Sequence, residues 1–114
     1  MVNKIKEARK LLKKQDKEWS IAIRKRDKKC KVCGRKDILH AHHIIPREKK
    51  EVRHSLNNGI TLCPLHHKFS YEISAHKNSF MFIGFLATRI KEQMDLLVAE
   101  YFIKKGYKNI EEIR

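Results

Sequence analysis

Apolar residues recur at helical spacing through an otherwise basic stretch at the start of the chain. Ile5, Ala8, Leu12, Trp19 and Ile23 fall along one face, which predicts helix over 3–14 and 16–27. The two parts are either continuous or broken near Gln15 and Asp16, with Asp16 as N-cap of the second. The other face carries Lys6, Lys10, Lys13, Lys14, Lys17, Arg24 and Lys25. After residue 30 the period changes. Residues 38–45 alternate and end in β-branched side chains, the pattern of a strand that Pro46 terminates. Residues 47–56 are polar and read as a loop, and 60–62 as a second short strand. Pro64 sits where proline opens a helix, expected to reach Ile73. Residues 74–78 read as a linker, 80–86 as a short helix weakened by Gly84, and 88–105 as the clearest helix in the chain. Its stripe is Ile90, Met94, Leu97, Val98, Tyr101 and Phe102, with Gly106 as the stop. This stripe reads as packing, with a dimer face as the other reading. Asn109 with Glu112 predicts a last short helix. Trp19 and Phe69 are expected in the core.

Length and composition narrow the class. The chain has 114 residues, 41% of them hydrophobic, enough for one domain with a real core and too apolar for a disordered basic tail. The formal charge is +14, and it is lopsided. Residues 1–53 hold 19 Lys and Arg against 7 Asp and Glu, whereas 54–114 hold 8 against 6. A polyanion, DNA or RNA first, is the natural partner of the basic half. The longest apolar run, 80–87, is too short to span a bilayer, and the lysine-rich start lacks the apolar stretch of a signal peptide. A cytoplasmic protein with no membrane partner is therefore expected.

Three cysteines cannot all pair with one another, so metal ligation is the better reading. Cys30-x-x-Cys33 and Cys63-x-x-His66 are two matched pairs. Two intervening residues let a short turn aim both side chains at one ion, and four such ligands satisfy tetrahedral zinc. A closed site of this kind is structural rather than catalytic. A second cluster, His40, His42, His43 and His67, is left over. On a strand His40 and His42 share one face and His43 takes the other. His67 follows His66 and should point away from the zinc.

Together these pieces resemble the HNH endonucleases, the ββα-metal nucleases. The resemblance runs through Cys30-Lys-Val-Cys33-Gly34, His40-Ala-His42-His43-Ile44-Ile45-Pro46, and Asn57 to Lys68, about residues 19–72 in all. It implies an α+β fold, mainly helical, whose zinc-stabilised ββα-metal core is flanked by N- and C-terminal helices. One HNH domain would then cover 1–114, with a basic helical part at 1–28, the core at 29–73 and a helical part at 74–114. It also implies roles. His42 matches the first metal-binding position and His67 the second, His43 the general base, and Asn58 the middle asparagine, with Asn57 the alternative in the adjacent register. Two departures stand out. The fourth zinc position is His66 where many members carry cysteine, which leaves His66 or His67 as the ligand. Tyr71 stands where some members carry a further histidine, which would leave the catalytic ion two protein ligands.

The activity implied is metal-dependent hydrolysis of DNA phosphodiesters, by nicking or double-strand cleavage with little sequence specificity. The products would be 5′-phosphate and 3′-hydroxyl ends. Besides structural zinc, the expected cofactor is one divalent cation, Mg²⁺ or Mn²⁺ first, with Zn²⁺, Ni²⁺ or Co²⁺ also able to bind imidazole. Lys10, Lys13, Lys14, Lys17, Arg24, Arg47, Lys49 and Lys50 are the candidate phosphate contacts. Two other readings stand beside the nuclease: a non-catalytic zinc-stabilised DNA-binding module, and a phage packaging accessory protein with packaging proteins as partners. The layout of the flanking helices resembles that of small phage-encoded members, which would imply a bacterial or phage-infected host cell.

Overall fold

The structure, a computed structural model, describes residues 2–106. Its elements are helix α1 (Val2–Asp27), strand β1 (His40–His43), a 3₁₀ turn (Leu56–Asn58), strand β2 (Gly59–Leu62), a wide π turn (Leu65–Phe69), and helices α2 (Ser79–Arg89) and α3 (Lys91–Lys104). The two strands pair antiparallel, with His40 opposite Leu62, Ala41 opposite Thr61, His42 opposite Ile60 and His43 opposite Gly59. This is the α+β, mainly helical architecture expected. The last short helix expected to start at Asn109 and Glu112 falls outside the described residues.

Helix α1 is unbroken. Asp16 is not a cap, because both its carboxylate oxygens are taken from outside the helix, by Arg53 at 2.9 and 2.7 Å and by His54 at 2.7 Å. Such a side chain no longer competes for the helix backbone. Lys28, in the left-handed region at φ 64°, turns the chain out of the helix, and its N–H bonds back to Arg24 O. Of α1's residues, Trp19 and Ile23 are buried. They pack on β2, whose four residues are all buried. Asp27 accepts from the Thr61 N–H at 2.9 Å, and the Thr61 hydroxyl bonds Ile23 O at 3.3 Å.

Other elements depart from the sequence reading. Strand β1 is shorter than 38–45: Ile38 has φ 50°, and past His43 the Asn58 side chain takes over the backbone at Ile45. The helix expected to reach Ile73 is a single turn ending at Phe69, because Ser70 is extended and its N–H closes the turn onto Leu65 O. The long helix expected over 88–105 is interrupted at Ile90 (φ −128°, ψ 43°), so α2 runs on to Arg89 and α3 begins afresh. Phe69 is not in the core; it is 61% exposed. The polar loop 47–56 instead buries Val52. The core gathers Cys30, Ile60, Leu62, Cys63, Phe82 and Leu86, so apolar packing and the cysteine pairs share one centre.

Gly59 marks the tightest approach of α1 to the sheet. A Cβ there would lie 2.5 and 2.6 Å from Ile23 side-chain carbons and 2.7 Å from the Trp19 ring. We expect Gly59→Ala to cost about 1–3 kcal/mol through overpacking. Urea unfolding of the two proteins measures it, and equal midpoints would contradict this packing.

Candidate metal centre and catalytic cleft

Cys30, Cys33, Cys63 and His66 come together with all four ligand atoms within 4.8 Å of one another. Cys33 Sγ lies 3.8 Å from Cys63 Sγ, Cys30 Sγ 3.8 Å from His66 Nδ1, and Cys63 Sγ 3.4 Å from the same nitrogen. Tetrahedral zinc with Zn–S bonds near 2.3 Å needs ligand edges of about 3.8 Å, and a disulfide needs about 2.05 Å. The set is therefore compatible with structural zinc, and the choice between His66 and His67 falls to His66. Local backbone explains the aim. Gly34, at φ 82°, makes the turn that lets its N–H reach Cys30 O at 2.8 Å, while the Cys30 N–H bonds Arg35 O. Burial opposes ionisation of Cys30. Backbone N–H groups of Cys63, Cys33 and Val32 outweigh it and hold the Cys30 thiol below its usual range, while burial and the neighbouring Cys63 and Cys30 push the Cys33 thiol up.

The wide turn after Pro64 separates His66 from His67. One faces the cysteines, and the other joins His42 and His76, again with ligand atoms within 4.8 Å. The ring centroids of His42 and His67 are 5.1 Å apart and those of His67 and His76 4.8 Å. Three imidazoles are a fitting donor set for a divalent transition ion. The expected two-ligand site is thus extended by His76, a residue that read as linker. No pattern flags a lone histidine nine positions after His67. What brings it in is the chain doubling back, with Ala75 N–H on His66 O and His76 N–H on His67 O. Tyr71 is exposed, with the Lys77 ammonium 5.3 Å from its ring centroid. His40 shares the face of His42, as strand alternation predicts, and its Nδ1 lies 3.1 Å from His67 Nδ1, a contact that orients a ligand ring. Burial pushes the pKa of His42 down to about 4, with His67, His76 and His43 adding repulsion. Burial does the same for His67, also to about 4, with His76, His40 and Lys68 adding to it. Both rings are neutral at pH 7, the form that binds metal.

His43 takes the other face of β1. Its Nε2 lies 2.9 Å from Arg53 O. A carbonyl can only accept, so Nε2 carries the proton and Nδ1 is the basic nitrogen. Burial lowers its pKa, with the Arg53 carbonyl partly opposing. The ring lies flat on Trp19, centroids 3.8 Å apart and planes at 8°. Asn58 is fully buried. Its Oδ1 accepts from the Ile45 N–H at 2.6 Å, and its Nδ2 donates to Ile45 O and Val52 O at 3.0 and 3.1 Å. Asn57, the other asparagine register, instead has its carbonyl bound by Gln93.

One open cleft of about 710 Å³ is lined by His42, His43, His67 and His76 together with Arg47 and Lys68. Among the phosphate candidates Arg47 reaches this cleft. Lys49 and Lys50 are exposed on the loop beyond it, and Lys10, Lys13, Lys14 and Lys17 are exposed along α1. Arg24 is half-buried, and its Nε bonds Ser20 O. Lys68 belongs with the cleft residues and was not among the candidates.

These residues form a two-strand hairpin followed by a helical turn, with a Cys/His knot and an imidazole cluster on either side of that turn. Residues 30–68, about a third of the chain, match the family model described as HNH endonuclease. HNH domains are metal-dependent nucleases or nucleic-acid-binding modules. No curated protein and no solved structure matches the chain significantly. No helix among the described residues is long and apolar enough to cross a membrane.

Two outcomes are expected. Cys30→Ser loses zinc and cooperative folding together, because a structural metal contributes its binding energy to the fold; metal content and circular dichroism measure this, and a folded, zinc-loaded variant would reject the ligand set. His76→Ala weakens Mn²⁺ binding by at least about tenfold with the fold intact. Titration calorimetry reads that change, and unchanged affinity removes His76 from the site.

Proposed function

We propose that the chain is a metal-dependent DNA endonuclease that hydrolyses phosphodiester bonds with little sequence specificity of its own. The observation that carries this reading is the single cleft shared by His43 and the imidazole trio. His42, His67 and His76 would hold the divalent ion, which when bound polarises the phosphate and offsets charge on the leaving oxygen. His43 takes the proton of the attacking water at Nδ1, while the Arg53 carbonyl keeps Nε2–H in place. The water oxygen bonds to phosphorus and the P–O3′ bond breaks. The products are a 5′-phosphate and a 3′-oxygen that acquires a solvent proton. Asn58 acts at a distance from the chemistry. By tying Ile45 and Val52 across the loop it fixes the stretch of backbone that includes Arg53. Arg47 and Lys68 neutralise the phosphates flanking the scissile one, and the lysines of α1 extend that contact along the duplex.

Supercoiled plasmid incubated with Mn²⁺, Mg²⁺ or EDTA tests the reading. Wild type is expected to produce open circles with a divalent ion and none with EDTA. His43→Ala should lose about 100-fold or more in rate and keep its DNA affinity, which falls with added salt. Equal inertness of both proteins across all ions would leave the nucleic-acid-binding module as the better account.

A further inference from the structure

The segment that matches the nuclease family begins at Cys30, yet the ring assigned as base rests on a helix that precedes it. Two residues of α1, three positions apart and so on one side of the helix, meet His43 by different routes. Trp19 stacks flat on the imidazole. The indole is itself fixed, 5% exposed, with Nε1–H donating to Ser55 O at 2.9 Å. Asp16 grips the Arg53 guanidinium through both oxygens, and the carbonyl of Arg53 receives His43 Nε2–H. His54, the next residue, bonds the same carboxylate at 2.7 Å.

These contacts remove freedoms that β1 leaves open. The torsion that spins an imidazole about its Cβ–Cγ bond is broad and nearly two-fold. A histidine held by strand geometry alone can present either edge to water. Stacking fixes the ring plane, and the anchored carbonyl fixes which edge faces inward and which nitrogen bears hydrogen. We propose that Asp16 and Trp19 are positioning residues for His43, so that α1 is part of the catalytic device as well as a basic arm. The inference rests on the assignment of His43 as base.

The test compares wild type with Trp19→Phe, Trp19→Leu and Asp16→Ala. Plasmid nicking gives kcat and KM, and ¹⁵N NMR of the His43 ring gives its tautomer. A positioning role predicts that Trp19→Leu and Asp16→Ala lose roughly 10- to 100-fold in kcat, with KM, zinc content and DNA affinity close to wild type. Trp19→Phe keeps a flat ring and recovers most of the rate. Unchanged kcat, or a loss confined to KM, overturns the proposal. Trp19 is buried, so Trp19→Leu can fail to fold. Asp16→Ala then decides alone, since Asp16 is partly exposed and alanine is the best helix former. If wild-type protein itself cuts nothing, the nuclease reading falls but the ring assignment still stands or falls on the spectra. A single Nε2–H tautomer in wild type that becomes mixed in Asp16→Ala supports positioning, and an identical pattern in both refutes it.

Discussion

Two four-residue strands do not stay paired in water by themselves, and the candidate ligand His42 and the candidate base His43 both sit on such a pair. The hairpin persists because each side of it is tied down by something else. At one end Cys63 follows β2 directly, and the Lys31 N–H beside Cys30 bonds Thr61 O, so the cysteine knot clamps the strand. Across β2 lies α1, close enough that residue 59 can only be glycine without displacement. At the other end the buried Asn58 amide holds Ile45 and Val52. Side chains from α1 and α3 close the remaining gap: Arg26 reaches the Leu56 and Gly59 carbonyls, and Gln93 those of Asn57 and Gly59.

That arrangement couples stability to chemistry through adjacent residues. His66 and His67 are neighbours in sequence, yet one faces the sulfur ligands and the other the imidazole cluster. The wide turn between Leu65 and Phe69 makes this divergence possible, in keeping with the frequent placement of π geometry at functional sites. A structural metal held by Cys30, Cys33, Cys63 and His66 would fix the turn that presents His67, and the chain that doubles back along the turn presents His76. His42 and His43 repeat the same logic on β1, where alternation sends one ring toward the cluster and the other onto Trp19.

Charge is distributed to match. The exposed lysines of α1 lie on a helix whose first seventeen residues bury nothing fully, so this arm is available to a phosphate backbone while its last turns dock on the sheet. Arg47 and Lys68 bring positive charge to the cleft itself. On the proposed function these groups would make non-specific phosphate contacts, which give affinity and register along a duplex and leave sequence discrimination to other elements.

Spacing and alternation in the chain alone pointed to the cysteine pairs with a histidine beside Cys63, to two short strands, and to the facing of His40 with His42, while the choice of His66 over His67 and of Asn58 over Asn57 stayed open. Those features are local: a two-residue gap or a two-residue period places side chains without reference to distant parts. His76 was not legible, because its place depends on a reversal at 70–74 that has no periodic signature. Nor was the interruption at Ile90, or the exposure of Phe69. Asp16 looked like a cap because its partners, Arg53 and His54, are nearly forty residues away. Trp19 read as core and is core, but its stacking on His43 required α1 to cross β2 at Gly59. Contacts between residues far apart in sequence are set by how whole elements pack, and packing is decided in three dimensions.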